Sequence, residues 1–234
     1  MMKQVALDLG VMPRPSFKNF YAGPNQDIVK VLSDWVSRLD AHVHSMPFYI
    51  WGEHGSGKTH LLQAVMKEAL HAGRKGIYFN PQEGLVVQAL DFDPRWQFMV
   101  VDDVHLLSPP YEAVVFNWFV NALSPSDGLH RAILIAGDRP AADLVLREDL
   151  RTRIGGGLVY GLKVMSENER REVLSQQASL RGLALPEEVL DFMLTRFSRD
   201  LSNLVGWLEQ LDRYALETQR PITIPLIKDM LKDF

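Results

Sequence analysis

Gly52-Glu53-His54-Gly55-Ser56-Gly57-Lys58-Thr59 follows the apolar run Phe48-Tyr49-Ile50-Trp51 and opens a stretch, Leu61 to Leu70, whose apolar residues recur at helical spacing. The spacing is G-x-x-x-x-G-K-[ST], and a strand before it with a helix after it is the context of a phosphate-binding loop. Glycines let successive backbone N–H groups turn toward one anion, and the following helix adds its own unsatisfied N–H groups and the positive end of its dipole. Lys58 supplies a point charge for the outer phosphates of a nucleotide, and the Thr59 hydroxyl suits the Mg²⁺ ion that accompanies them. The segment Gly52 to His60 is therefore the candidate nucleotide-binding stretch. The bland alternative, a glycine-rich turn with a chance lysine, leaves the flanking strand and helix without a purpose.

Four further β-like runs follow the loop: Gly76-Ile77-Tyr78-Phe79-Asn80, Gln97-Phe98-Met99-Val100-Val101, Ala132-Ile133-Leu134-Ile135-Ala136 and Leu158-Val159-Tyr160-Gly161-Leu162. Helical stretches lie between most of them, which is the rhythm of a parallel sheet covered on both faces. Their near-continuous apolar character predicts strands buried on both sides. Ligands of such sheets bind beyond the carboxyl ends of the strands, so the residues just after each run carry the functional question.

Asp102 and Asp103 directly follow the run Phe98 to Val101. Adjacent acids at the end of a buried strand are costly unless a positive partner is near, and nucleotide-bound Mg²⁺ is the expected one. Asp102 is read as the magnesium residue, and Asp103 as the group that positions or polarises an attacking water. A pair of N-capping acids is the alternative, and it accounts for one aspartate better than for two. Asp138, in Gly137-Asp138-Arg139-Pro140, would lie beside the phosphates if its strand neighbours that of Asp102; a simple Asp turn before a helix is compatible with this. Leu150-Arg151-Thr152-Arg153-Ile154 ends a short helix. An arginine there could neutralise charge on a neighbouring molecule's γ-phosphate, although Arg-x-Arg alone is more often a solvated pair.

Before the loop, Ser16-Phe17-Lys18-Asn19-Phe20-Tyr21 is neither helical nor alternating, and a helix fits Asp27 to Ala41. Phe20 and Tyr21 are candidates to wall an adenine ring, with a core role as the bland reading. In the first fifteen residues, Gln4-Val5-Ala6-Leu7-Asp8-Leu9 would set apolar residues on one face of an extended peptide suited to an apolar groove, or form a plain tail. From Ser166 the chain turns helical: a capping box at Ser166 to Glu169 opens a helix to about Arg181. Further helices are expected from Pro186 to Arg196, from Leu201 to Leu216 and from Pro225 to Leu231.

A hydrophobic content of 47% describes a chain able to bury a core, and the lack of cysteine excludes disulfides and thiolate metal sites. With no signal peptide and no apolar run near membrane-spanning length, the expectation is a cytoplasmic protein without a membrane partner. A net charge of −4 argues against a dedicated basic DNA-binding domain, so any DNA contact should be indirect or weak.

The order of these parts resembles the AAA+ ATPases, and within them the DnaA replication-initiator group. The carrying residues are SFKNFYAGPNQ, GEHGSGKTHLLQA, FMVVDDVHLL, ILIAGDRP, LRTRIGGGL and the helical C-terminal region. The resemblance implies a five-stranded parallel sheet with flanking helices followed by a small α-helical lid, with boundaries at 1–15 (peptide), 16–163 (AAA+ domain) and 164–234 (lid). DnaA proteins carry further N-terminal and DNA-reading domains that this sequence does not show. Together with Gln4, Leu7 and Leu9 in a Q-x-x-L-x-L form, this makes the chain similar to the Hda family of regulatory inactivators. That resemblance implies binding of the peptide to the DNA polymerase β sliding clamp and docking on ATP-bound DnaA. Arg153 would be an arginine finger acting in trans, and the chain's own ADP or ATP, with Mg²⁺, would be structural, with little or no turnover. A homodimer would be possible through the same head-to-tail surface. The second-sensor arginine of DnaA-type lids falls here on Ser202, with Arg199 one turn earlier. Competing classes are a self-hydrolysing AAA+ ATPase such as a helicase loader, a DNA-binding initiator fragment, and an adaptor that merely sequesters DnaA.

Overall fold

The structure is a computed structural model, and its described residues are 14–37, 46–125, 127–129, 131–197 and 201–232. They form two compact units, one spanning Pro15–Met165 and the other holding the helices that follow Ser166.

The first unit contains strands β1 (Phe48–Trp51), β2 (Gly76–Phe79), β3 (Phe98–Val101), β4 (Ala132–Gly137) and β5 (Leu158–Gly161). All neighbours are parallel, in the order β2-β3-β4-β1-β5. The register pairs Phe48 with Leu134 on one side and with Leu158 on the other, so all carboxyl ends lie along one edge. Helices α1 (Gln26–Ser37), α2 (Lys58–His71), α3 (Pro109–Leu123) and α4 (Glu148–Gly155) cover the faces.

Successive strand residues point to opposite faces, and the core divides accordingly. Tyr49, Met99, Val101, Ile133 and Ile135 pack with Val115, Trp118 and Phe119 of α3 and with Leu150 and Ile154 of α4. Phe48, Ile50, Phe98, Val100 and Leu134 pack with Leu32 and Trp35 of α1 and with Leu61, Leu62 and Val65 of α2. The central strands β3 and β4 are buried throughout, as their apolar runs predict. The outer strands differ: β2 is mostly half-buried and β5 alternates between half-buried and exposed, because each has a neighbour on one side only.

Helix α1 begins one residue earlier than its pattern indicates, and the positions after Ser37 up to 45 are outside the described residues. Phe17–Asn19 forms a single 3-10 turn where no helix is expected, its entry tied by the Ser16 N–H donating to Asn19 Oδ1 at 2.8 Å.

The second unit comprises α5 (Glu167–Leu180), α6 (Glu187–Arg196), α7 (Leu201–Thr218) and α8 (Ile224–Met230). Ser166 closes the expected capping box, with its N–H donating to Glu169 Oε2 at 2.7 Å and its hydroxyl accepting from the Glu169 N–H at 3.2 Å. Val189, Met193, Leu208, Leu211, Leu226 and Ile227 are the centre of its own small core. Among the described residues no helix is long and apolar enough to cross a membrane.

Candidate nucleotide site

The loop Gly52–Gly57 leaves the carboxyl end of β1 and delivers the chain into α2, a helix of 14 residues whose free N–H groups face the loop. Gly55 and Gly57 have φ of +80° and +93°, a left-handed backbone that side chains rarely adopt. Gly57 is doubly constrained, since a Cβ there would stand 2.5 Å from the ring of Phe20. Among the described residues the buried Ser56 hydroxyl has no hydrogen-bond partner, an orphaned donor in the loop.

Lys58 is 8% exposed and folds back over the loop, its Nζ donating to the carbonyls of Gly52 at 2.7 Å and Glu53 at 3.0 Å. Burial pulls the ammonium below its ordinary value, while Asp103, Asp102 and Asp138 oppose that shift. Three acids from two strand ends therefore favour the charge of one lysine.

Asp102 is fully buried at the end of β3. Burial raises its carboxyl above the ordinary range, and the nearby Thr59 and Tyr78 hydroxyls oppose the shift. The Tyr78 hydroxyl donates to Oδ2 at 2.7 Å, and the Asp103 N–H donates to Oδ1 at 2.9 Å. Asp103 holds φ of +45° and accepts at Oδ2 from Gln82 Nε2 at 2.8 Å and Asn80 Nδ2 at 3.3 Å. Neither carboxylate caps the 3-10 turn Val104–Leu106, so the capping alternative does not describe this pair. A non-glycine residue strained in this way, held by two amides beside a phosphate loop, is the kind of backbone outlier that functional sites retain.

Because β4 lies between β3 and β1, Asp138 emerges beside both the acids and the loop, which meets the condition set by its sequence position. Arg139 grips it through Nε at 2.8 Å and through NH2 at 2.6 Å, which holds the carboxyl below its ordinary value. His105 Nδ1 stands 3.8 Å from the same carboxylate. The turn is pinned from behind, as the Tyr49 hydroxyl donates to the Arg139 carbonyl at 2.6 Å.

Phe20 backs the loop instead of standing clear of it, its ring against Gly57 and 5.3 Å from the His60 ring. His60 in turn meets the Ser16 backbone carbonyl at 3.0 Å through Nε2. Tyr21, the next residue, is half-buried.

Arg153 does not join this cluster. It lies in the last turn of α4, which ends three residues before Leu158 at the amino end of β5, whereas the loop leaves the carboxyl end of the adjoining β1. A four-residue strand separates those ends by roughly 10 Å. The guanidinium rests over the Phe116 ring at 4.8 Å, and Arg147 shares that ring at 5.3 Å. Gln4, Leu7, Leu9 and Arg199 are outside the described residues, as is the side chain of Ser202.

Tyr78, Asn80, Gln82, Arg139 and Tyr49 are the contributors that sequence reasoning missed. Asn80 and Gln82 follow a strand end and were findable by that rule; Tyr49 and Tyr78 lie inside apolar runs and give no local sign.

The arrangement fits the polyphosphate of a nucleotide: backbone N–H groups, an orphaned hydroxyl and a lysine on one side, acids and a threonine on the other. Among the described residues no group of three or more His, Asp or Glu could hold a metal by itself. A cation at Thr59 and Asp102 would need phosphate oxygens to complete its shell, as Mg²⁺ commonly does.

Residues 11–85 match the model of the bacterial DnaA ATPase domain, and residues 167–231 match that of the Hda lid domain. The chain is an Hda-like, DnaA-related AAA+ protein. It superimposes on domain III of the Thermotoga maritima replication initiation protein DnaA with a TM-score of 0.66 and 25% identity, over 95% of this chain and 97% of that one. AMPPCP-bound DnaA from Aquifex aeolicus matches with a TM-score of 0.65 and 23% identity, over 88% and 67%. DnaA bound to AMPPCP and single-stranded DNA gives the same TM-score and identity, over 88% and 69%. For this Hda-like chain, the five-stranded AAA+ sheet and the helical lid agree with the expected fold.

Proposed function

We propose that this Hda-like protein stimulates hydrolysis of DnaA-bound ATP through Arg153 acting in trans, with an adenine nucleotide in its own site and a tether to the sliding clamp. The observation that carries the reading is the separation of Arg153 from its own phosphate loop. Resting over Phe116 and away from the loop, Arg153 would be free to meet another molecule's nucleotide. Guanidinium is permanently charged and planar, which suits it to charge developing across phosphate oxygens.

In the chain's own site, Gly52 to His60 would hold the phosphates, Lys58 exchanging its carbonyl partners for them. Phe20 and Tyr21 would border the base, and Asp138 would stand beside the terminal phosphate. Magnesium bound there would neutralise phosphate charge next to Thr59 and Asp102. That nucleotide, ADP in our reading, fixes conformation. Gln4, Leu7 and Leu9 would dock in an apolar groove of the clamp, concentrating the finger near DNA-bound DnaA and so limiting re-initiation. A head-to-tail homodimer would occupy the same finger.

The test is hydrolysis by ATP-loaded DnaA with DNA-loaded clamp, adding this protein intact or as Arg153→Ala. Trans-acting arginines are worth about 10³–10⁵ in rate in related GTPases, so the variant should lose most of the stimulation while still binding the clamp. Equal stimulation by both proteins would remove Arg153 from the mechanism. A second reading, a self-hydrolysing ATPase, is favoured by Asp103 held beside Asp102; ATP turnover by the isolated protein would establish it.

A further inference from the structure

Asp102 is fully buried, and among the described residues no ammonium or guanidinium forms an ion pair with it. Neutral donors hold it instead. One oxygen accepts the Asp103 N–H and the other accepts the Tyr78 hydroxyl, at 2.9 Å and 2.7 Å. Tyr78 belongs to the outer strand β2 and pairs with Val100, so its hydroxyl reaches forward along β3 to the acid. Gln63, on α2 one turn beyond Thr59, acts on the same hydroxyl in the direction opposite to burial.

We propose that Tyr78 is a positioning residue that sets the magnesium dependence of nucleotide binding. With each oxygen held by one donor, the carboxylate plane is fixed before any cation arrives, so no reorientation opposes metal binding. Without the hydroxyl, one oxygen of a buried acid is left unsatisfied and the group is free to turn. The proposal rests on the nucleotide-binding reading given above. It concerns this chain's own site, independent of whether Arg153 acts on DnaA.

The experiment is binding of a fluorescent ADP analogue to the full chain, first in EDTA and then across a Mg²⁺ titration, for the wild type, Tyr78→Phe and Gln63→Leu. Phenylalanine keeps the ring that packs beside α2 and removes only the hydroxyl. A hydrogen bond to a charged group is worth enough to move the Mg²⁺ midpoint of Tyr78→Phe about tenfold upward, with EDTA affinity unchanged. Gln63→Leu, which leaves the sheet untouched, should move the midpoint in the same direction by about threefold. A purely structural role for Tyr78 would weaken binding equally with and without magnesium. That result, or midpoints equal to the wild type in both variants, overturns the proposal. A wild-type chain that bound no ADP at all would overturn the nucleotide reading itself, and this assignment with it.

Discussion

Asp102 shows how much a buried acid is held against its own preference. Burial is the largest influence on it and raises its carboxyl, while Thr59 and Tyr78 only partly compensate. An acid whose folded value is raised costs stability as pH climbs from the ordinary carboxylate value toward the folded one, because over that window the unfolded chain ionises first. Asp102→Asn removes that penalty and keeps an oxygen for Tyr78, giving up only the hydrogen bond from the Asp103 N–H. We expect the variant to melt above the wild type at neutral pH without nucleotide, by roughly 2–4 °C for each kcal/mol relieved. The gap should close as pH falls to where Asp102 is protonated in both states, and the same variant should lose its magnesium response. A lower melting temperature at neutral pH would mean that the charged carboxylate is already well solvated by its neighbours. Asp138 is the contrast: Arg139 holds its carboxyl low, so its contribution is present above the ordinary carboxylate value and is lost as pH falls through the depressed one.

The junction between β1 and α2 depends on glycine in two independent ways at Gly57. Its φ of +93° excludes most side chains, and a Cβ would meet Phe20 at 2.5 Å. Gly57→Ala should therefore abolish measurable binding of a fluorescent ADP analogue, with helix content by circular dichroism retained because the α2 core face is untouched. Binding within threefold of the wild type would show that Phe20 yields easily and does not brace the loop. This junction was legible because its residues carry their signal locally, as glycine, lysine and threonine at fixed spacing between two apolar patterns. The five strands were legible for the same reason, each a short apolar run. What local sequence does not encode is which strand end faces which. That Asn80 and Gln82 grip Asp103, and that Tyr78 reaches Asp102, follow from β2 lying beside β3 across 20 or so intervening residues. The exposure of β2 and β5 was equally hidden, since an edge position belongs to the sheet order and leaves little mark on the strand itself.

The phosphate loop, Asp102, Asp103 and Asp138 lie within Pro15–Met165, while Gln4, Leu7 and Leu9 precede that unit. If the peptide is only a tether, its removal should separate two properties of the whole protein. Nucleotide at 100 times its Kd stabilises a folded chain by about 2.7 kcal/mol, and for a chain of this size that corresponds to a rise in melting temperature of roughly 5–11 °C. A chain lacking residues 1–13 should keep that rise in full. Its stimulation of DnaA ATP hydrolysis on loaded clamp should fall by about 10²–10⁴-fold at submicromolar protein, the range expected when an intramolecular encounter becomes bimolecular. Raising the concentration of the truncated chain should restore the rate, because Arg153 is unaltered. Loss of the nucleotide-induced rise would instead make the peptide part of the nucleotide site. Stimulation that stayed clamp-dependent after truncation would place the clamp contact on the folded units, and failure of concentration to restore the rate would mean that the peptide does more than bring the arginine near its target.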